Sequence, residues 1–88
     1  MIISSNRYNE LRSDVIIMAI MSNTYMADGK TEHVIDDWEG AGLLKPSLIK
    51  TAVSTIERKL IIKKLGRFVS KDIALLDKAL MALFELKP

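Results

Sequence analysis

Seven consecutive apolar residues, Val15 to Met21 (VIIMAIM), constrain this chain more than any other feature. The run is far shorter than the roughly 20 residues a membrane-spanning helix needs. It lacks the alternation of a half-exposed strand, and its β-branched Val15, Ile16, Ile17 and Ile20 suit a strand covered on both faces. We therefore expect it at the centre of a sheet. The segment before it, MIISSNRYNE, has no basic flank leading into a long apolar stretch, so neither a signal peptide nor secretion is expected.

At 88 residues, folding removes only about 60 to 65 % of the surface the unfolded chain exposes, which limits the molecule to one core and one domain, residues 1–88. Nearly half of the residues, 49 %, are apolar, so part of that surface is expected to meet a partner or a second copy. There is no cysteine, which rules out a disulfide framework and a thiolate metal site, and a reducing cytoplasm fits. A single histidine, His33, excludes paired-histidine acid/base chemistry and a histidine-rich metal site. Neither a metal nor another cofactor is expected.

Around the apolar run the local signals give an α+β order. Ser5 or Asn6 caps a brief helical turn through Leu11, and Asp14 opens the strand. Asp28-Gly29 favours a tight turn, after which Thr31 to Ile35 runs back as the second arm of a hairpin. Asp36 and Asp37 cap a short helix carrying Trp38, which Gly42 ends and Pro46 prevents from continuing. Ser47 to Thr51 and Leu60 to Val69 read as further strands. From Ser70 to about Leu86, Ile73, Leu76, Leu80 and Leu83 recur near helical spacing, with Asp72 in the first turn where the helix dipole favours an anion.

Charge divides the chain. Residues 1–44 carry 3 basic and 7 acidic side chains, whereas residues 45–88 carry 10 and 4. Arg58, Lys59, Lys63, Lys64, Arg67 and Lys71 fall in a window without an acid, and two readings stay open: a row that tracks a phosphate backbone, or a solvated strand face. The cluster Asp36, Asp37 and Glu39 suits a helix start better than a metal cage. His33 reads as a strand residue with its ring at the surface. Trp38, Phe68 and Phe84 read as core rather than as base-stacking platforms, Met18, Met21 and Met26 as core or interface filler, and Gly66 as a bend or bulge.

Three blocks taken in order, SSNRYNELRSDVIIMAI, DDWEGAGLLKPSLIK and STIERKLIIKKLGRFVSKD, resemble the successive blocks of the PemK/MazF toxin family, the most specific stretch being Trp38 to Pro46 followed by Thr55-Ile56-Glu57 and Leu65-Gly66. The resemblance covers essentially the whole chain. It implies a small, strongly curved antiparallel sheet of SH3-like barrel type with a C-terminal helix, a homodimer, metal-independent cutting of single-stranded RNA, and an antitoxin peptide that occupies the same groove. Family members begin with a further strand and loop leading into an Arg-Pro-Ala-Leu-Val type block; this chain starts at the end of that block, so the fold is expected to be incomplete at its N-terminus. The family's catalytic threonine is matched by Met21, whose thioether neither donates a proton nor holds a phosphate oxygen.

Ser22 follows Met21, and the resemblance leaves Ser22 and Lys50 as the catalytic candidates, with Lys50, Arg58, Lys59, Lys63, Lys64 and Arg67 as the RNA-binding set. Attack by a ribose 2′-oxygen needs proton transfer and charge stabilisation at the phosphate, and these groups bind anions better than they turn over RNA. The expectation is thus a toxin-family domain, related to endoribonucleases (mRNA interferases) and weak or inactive in this form. A non-catalytic module that pairs with a toxin or antitoxin is the alternative, and a basic nucleic-acid-binding domain the third.

Overall fold

The structure, a computed structural model, describes residues 1–22 and 32–86. The helices and strands of the described residues are α1 (Asn6–Leu11), β1 (Asp14–Met21), β2 (Glu32–Val34), β3 (Leu48–Glu57) and α2 (Ser70–Phe84). The strands form an antiparallel sheet in the order β1-β3-β2 that does not close into a barrel. The α+β class is as expected. The turn at Asp28-Gly29, together with Met26 and Thr31, lies outside the described residues.

The apolar run does form a strand, with Val15 1 % and Met18 0 % exposed. It is not, however, the middle of the three. That place belongs to β3, which pairs with β1 from Leu48 to Glu57 and with β2 from Leu48 to Lys50. Continuous β-branched composition specifies coverage of both faces, whereas position in the sheet depends on which strand has two free edges at the right register. The other edge of β1 meets the chain start through a bridge between Ile2 and Ile17, with Ile3 N–H donating to Ile16 O at 2.9 Å and Met18 N–H to Met1 O at 2.8 Å. Between Met18 and Ala19 the register jumps from Val53 to Lys50, a bulge on β3.

Helix starts follow the side chains able to cap them, with one exception. Ser5 accepts from Tyr8 N–H and caps α1 as expected. Helix α2 begins at Ser70, but Val69 holds the cap position without a side-chain bond. The segment 36–42 is a single irregular turn rather than a helix. Asp37 Oδ1 accepts from Gly40 N–H at 2.8 Å, Leu43 N–H donates to Trp38 O, Gly42 N–H donates to Glu39 O, and Gly42 takes a φ of +85°. This double closure is the helix-ending motif that a left-handed glycine permits.

Two strand expectations change. The segment placed at Ser47 to Thr51 runs on as β3 to Glu57, and Leu60 to Val69 is no strand: a 3-10 turn at Arg58–Leu60 leads into residues 61–69 without regular secondary structure. Apolar and β-branched content gave the strand signal, but residues 62–68 make no backbone hydrogen bond among the described residues, so no neighbour supplies the ladder that a strand requires, and Ile62 and Leu65 stand exposed.

The core is Met18, Ile35 and Ile49, each at most 1 % exposed, closed over by Trp38, Leu43, Phe68 and the Leu76 and Leu80 stripe of α2. Trp38 and Phe68 are therefore core, as expected, whereas Phe84 at the end of α2 is 57 % exposed. Burying each large aliphatic side chain contributes about 1.5–3 kcal/mol. The helix thus sits on one face of the sheet.

Candidate nucleic-acid interface

Strand register decides which candidate residues share a surface. Opposite Lys50 lie Ala19 on β1 and Glu32 on β2; opposite Leu48 lie Met21 and Val34. Because side chains alternate along a strand, Met21 and Lys50 occupy one face at diagonal positions, while Ile20, Ile49 and His33 point to the core face. Met21 is 38 % exposed at the strand's end, Ser22 follows it and is exposed, and Lys50 is exposed. The fold therefore places a thioether, a hydroxyl and an ammonium at one corner of the sheet.

His33 differs from expectation. Its register partner is Ile49, and its Nε2 atom is buried without a hydrogen-bond partner among the described residues. Pairing turned the ring inward, and nothing in an isolated three-residue strand fixes its register. The residue is half-buried, and its Nε2 is not available to a substrate.

The basic window does not form one strand face. Seven steps of about 3.3 Å put Glu57, at the far end of β3, roughly 23 Å from Lys50. There Arg58 N–H donates to Ser13 O, and its guanidinium donates to Arg12 O at 2.8 Å, while Lys59 pairs with Glu57 at 3.1 Å. Lys63, Lys64 and Arg67 are exposed and make no ion pair among the described residues. Lys71 bonds Asp36 at 2.7 Å, and that hydrogen bond, with the attraction of the same carboxylate, raises the pKa of its ammonium. A separate cation, Arg12, lies 5.5 Å over the Tyr8 ring and bonds Asp14 at 3.1 Å, which raises its pKa. Within the 58–71 window the cations with free heads are thus Lys63, Lys64 and Arg67, on an irregular segment that runs from the end of β3 back toward the 36–42 turn.

Two features of this arrangement escaped sequence reasoning. Asp72, read as an anion near a helix dipole, is fully buried, and its two carboxylate oxygens accept the backbone N–H groups of Asp36 and Asp37, both at 2.9 Å. The signal was an acid in the first turn of α2; its target, 35 and 36 residues away, was not readable. The second is that Gly42 and Gly66 approach each other: a Cβ on Gly42 would stand 2.2 Å from Leu65 O, and one on Gly66 2.2 Å from Ala41 O. Among the described residues no three acidic or histidine side chains converge in a way that could hold a metal ion, and no helix is long and apolar enough to cross a membrane.

The comparisons agree with this architecture. Residues 1–84 match the family model of the PemK-like, MazF-like toxin of type II toxin-antitoxin systems. Among solved structures, the chain is similar to the Mycobacterium tuberculosis toxin MazF-mt6, with a TM-score of 0.84 and 19 % identity, over 100 % of this chain and 86 % of that one. No curated protein matches the chain in sequence. A family match that spans both the sheet corner and the basic segment, on a fold that superposes over its whole length, leads to one conclusion: the chain belongs to the PemK/MazF-like toxin family of type II toxin-antitoxin systems.

Proposed function

We propose that residues 1–88 act as one cytoplasmic toxin-family domain that binds single-stranded RNA through Lys50, Arg58, Lys59, Lys63, Lys64 and Arg67, and cuts it weakly or not at all. The observation that carries this reading is Met21 at the exposed corner of the sheet, on the same face as Lys50 and next to Ser22. Cleavage by the family's route forms a bond between the ribose 2′-oxygen and phosphorus and breaks the bond to the 5′-oxygen. A base takes the 2′-hydroxyl proton, an acid protonates the leaving oxygen, and donors stabilise the phosphorane between. At this corner Lys50 offers charge and Ser22 a hydroxyl, but Met21 offers neither donor nor acceptor of useful strength where the family has threonine. Loss of one such stabiliser commonly costs about 10²- to 10³-fold in rate.

Incubation of single-stranded RNA with the purified chain in excess chelator tests the proposal. Gel-shift binding with slow or no cleavage is the expected result; rapid chelator-resistant cutting would refute the weakness, and absence of any binding would refute the RNA reading.

A second reading, a module that pairs with another toxin chain or an antitoxin peptide, is favoured by the exposed Leu60, Ile62, Leu65 and Phe84. The two are compatible in a homodimer, and titration with an antitoxin peptide that displaces RNA would join them.

A further inference from the structure

Residues 58–67 are exposed throughout, and among the described residues no backbone hydrogen bond is made by residues 62–68. A segment with so little local stabilisation should sample many conformations. Yet it carries Lys63, Lys64 and Arg67, whose charged heads make no ion pair among the described residues. What fixes it is the crossing at Gly66, followed by Phe68 packed on the core.

The crossing is backbone against backbone. With hydrogen in place of Cβ on both residues, the Leu65-Gly66 and Ala41-Gly42 peptides pack in direct contact, and each absent Cβ would also lie 3.2 to 3.3 Å from the other glycine's Cα. Gly42 additionally needs its left-handed φ of +85°, whereas Gly66 does not have a positive φ, so contact alone demands glycine there. The turn that carries Gly42 is itself fastened to the start of α2: Asp72 accepts from Asp36 and Asp37 N–H, and Lys71 bonds the Asp36 carboxylate. Helix, turn and segment thus form a closed circuit, in which α2 holds the turn, the turn holds Gly66, and Gly66 lies four residues before α2 resumes the chain.

We infer that Gly42, Gly66 and Asp72 are positioning residues that fix the basic segment for contact with a phosphate backbone. The inference rests on the RNA reading given above. Lys63, Lys64 and Arg67 lie within three residues of the crossing, so their backbone is fixed before a ligand arrives and less ordering cost falls on binding. The latch contributes no charge to the interface. It sets where the charges stand.

Gly66→Ala tests this, since it leaves every charge in place and needs no strained φ. Its Cβ must move from 2.2 Å to at least 3.0 Å from Ala41 O, which separates the two backbones by about 0.8 Å and opens the crossing. Two readouts are taken at a temperature where circular dichroism shows the variant fully folded: the rate of trypsin cleavage after Lys63, Lys64 and Arg67, and RNA affinity as a function of salt. We expect cleavage to accelerate about tenfold or more. Affinity should weaken by about tenfold while the salt slope stays that of the parent, because the number of released counterions is unchanged. Lys63→Glu with Lys64→Glu should instead flatten the slope. Asp72→Asn, which retains one acceptor oxygen, should give an intermediate loss.

Unchanged cleavage in Gly66→Ala overturns the latch, and faster cleavage with undiminished RNA affinity overturns its positioning role. Should the parent chain bind no RNA, the RNA reading fails, and the cleavage rate alone then decides whether the latch exists.

Discussion

Replacing Asp72 by alanine should be among the most damaging single changes in this chain. The side chain is fully buried and makes two hydrogen bonds of 2.9 Å to Asp36 and Asp37 N–H. Bonds to a charged acceptor contribute about 1.5–3 kcal/mol each, so the gross loss is about 3–6 kcal/mol. Removing the carboxylate also relieves its desolvation, which offsets part of that loss. The orphaned N–H groups of Asp36 and Asp37 are the same two bonds seen from the donor side, at about 1–3 kcal/mol each, so they bracket the loss rather than add to it. A net destabilisation of about 3–4 kcal/mol follows, a large fraction of the roughly 5–15 kcal/mol that holds a domain together. At about 4–8 °C per kcal/mol for a chain of this size, the melting temperature should fall by about 12–30 °C.

Urea unfolding separates the local effect from the global one. Trp38, the only tryptophan, sits in the turn that Asp72 fastens, so its fluorescence reports the turn while far-ultraviolet circular dichroism reports α2. In Asp72→Ala we expect a red-shifted native baseline as well as a lower midpoint, and in Asp72→Asn about half the loss. An alanine variant within about 1 kcal/mol of the parent, with Trp38 emission unchanged, would show that the two bonds do not hold the turn and would refute the reasoning.

Met21→Thr should cost about 1 kcal/mol or less, since the side chain is already 38 % exposed, and by itself should not restore RNA cutting on a chelator gel, because residues that act as a unit are not recovered singly. His33→Leu should stabilise the fold by about 1 kcal/mol through removal of the unpartnered Nε2; a lower urea midpoint would mean that the ring has a partner after all. Lys71→Met should lower stability slightly: because the folded-state pKa of Lys71 is raised from 10.5, its contribution is complete below that value and lost as pH rises through the folded one, so the difference from the parent should vanish in strong alkali. With Leu60, Ile62, Leu65 and Phe84 exposed, light scattering at micromolar concentration should find a dimer or larger species, and a clean monomer would count against a self-associating surface.

Much of the fold was legible because its signals are local. A capped start at Ser5, an apolar β-branched run from Val15 and a helical stripe from Ser70 each depend on a few neighbouring residues, and each produced the element expected. The three blocks that resemble the toxin family lie in the same local stretches, so the family was legible as well. The segment 60–69 failed for the converse reason: its composition suits a strand, but a strand exists only where another edge offers hydrogen bonds, and Ile62 and Leu65 stand in solvent instead.

Pairing and crossing were decided by tertiary structure alone. That β3 rather than β1 occupies the middle follows from a ten-residue strand finding two partners. The inward turn of His33 follows from a register set opposite Ile49, and a slip of one residue would have sent it outward. Asp72 was visible as an acid near a helix start, but its acceptance of two N–H groups 35 and 36 residues earlier depends on how the turn packs on α2. Gly42 and Gly66 each read as a local punctuation mark; only the fold brings them together, because two peptide backbones can touch at that distance only when neither carries a side chain. Sequence alone thus determined α1, β1, α2 and the family, through interactions that span a few residues, while the 36–42 turn and the placement of the basic segment were left to contacts between residues far apart in the chain.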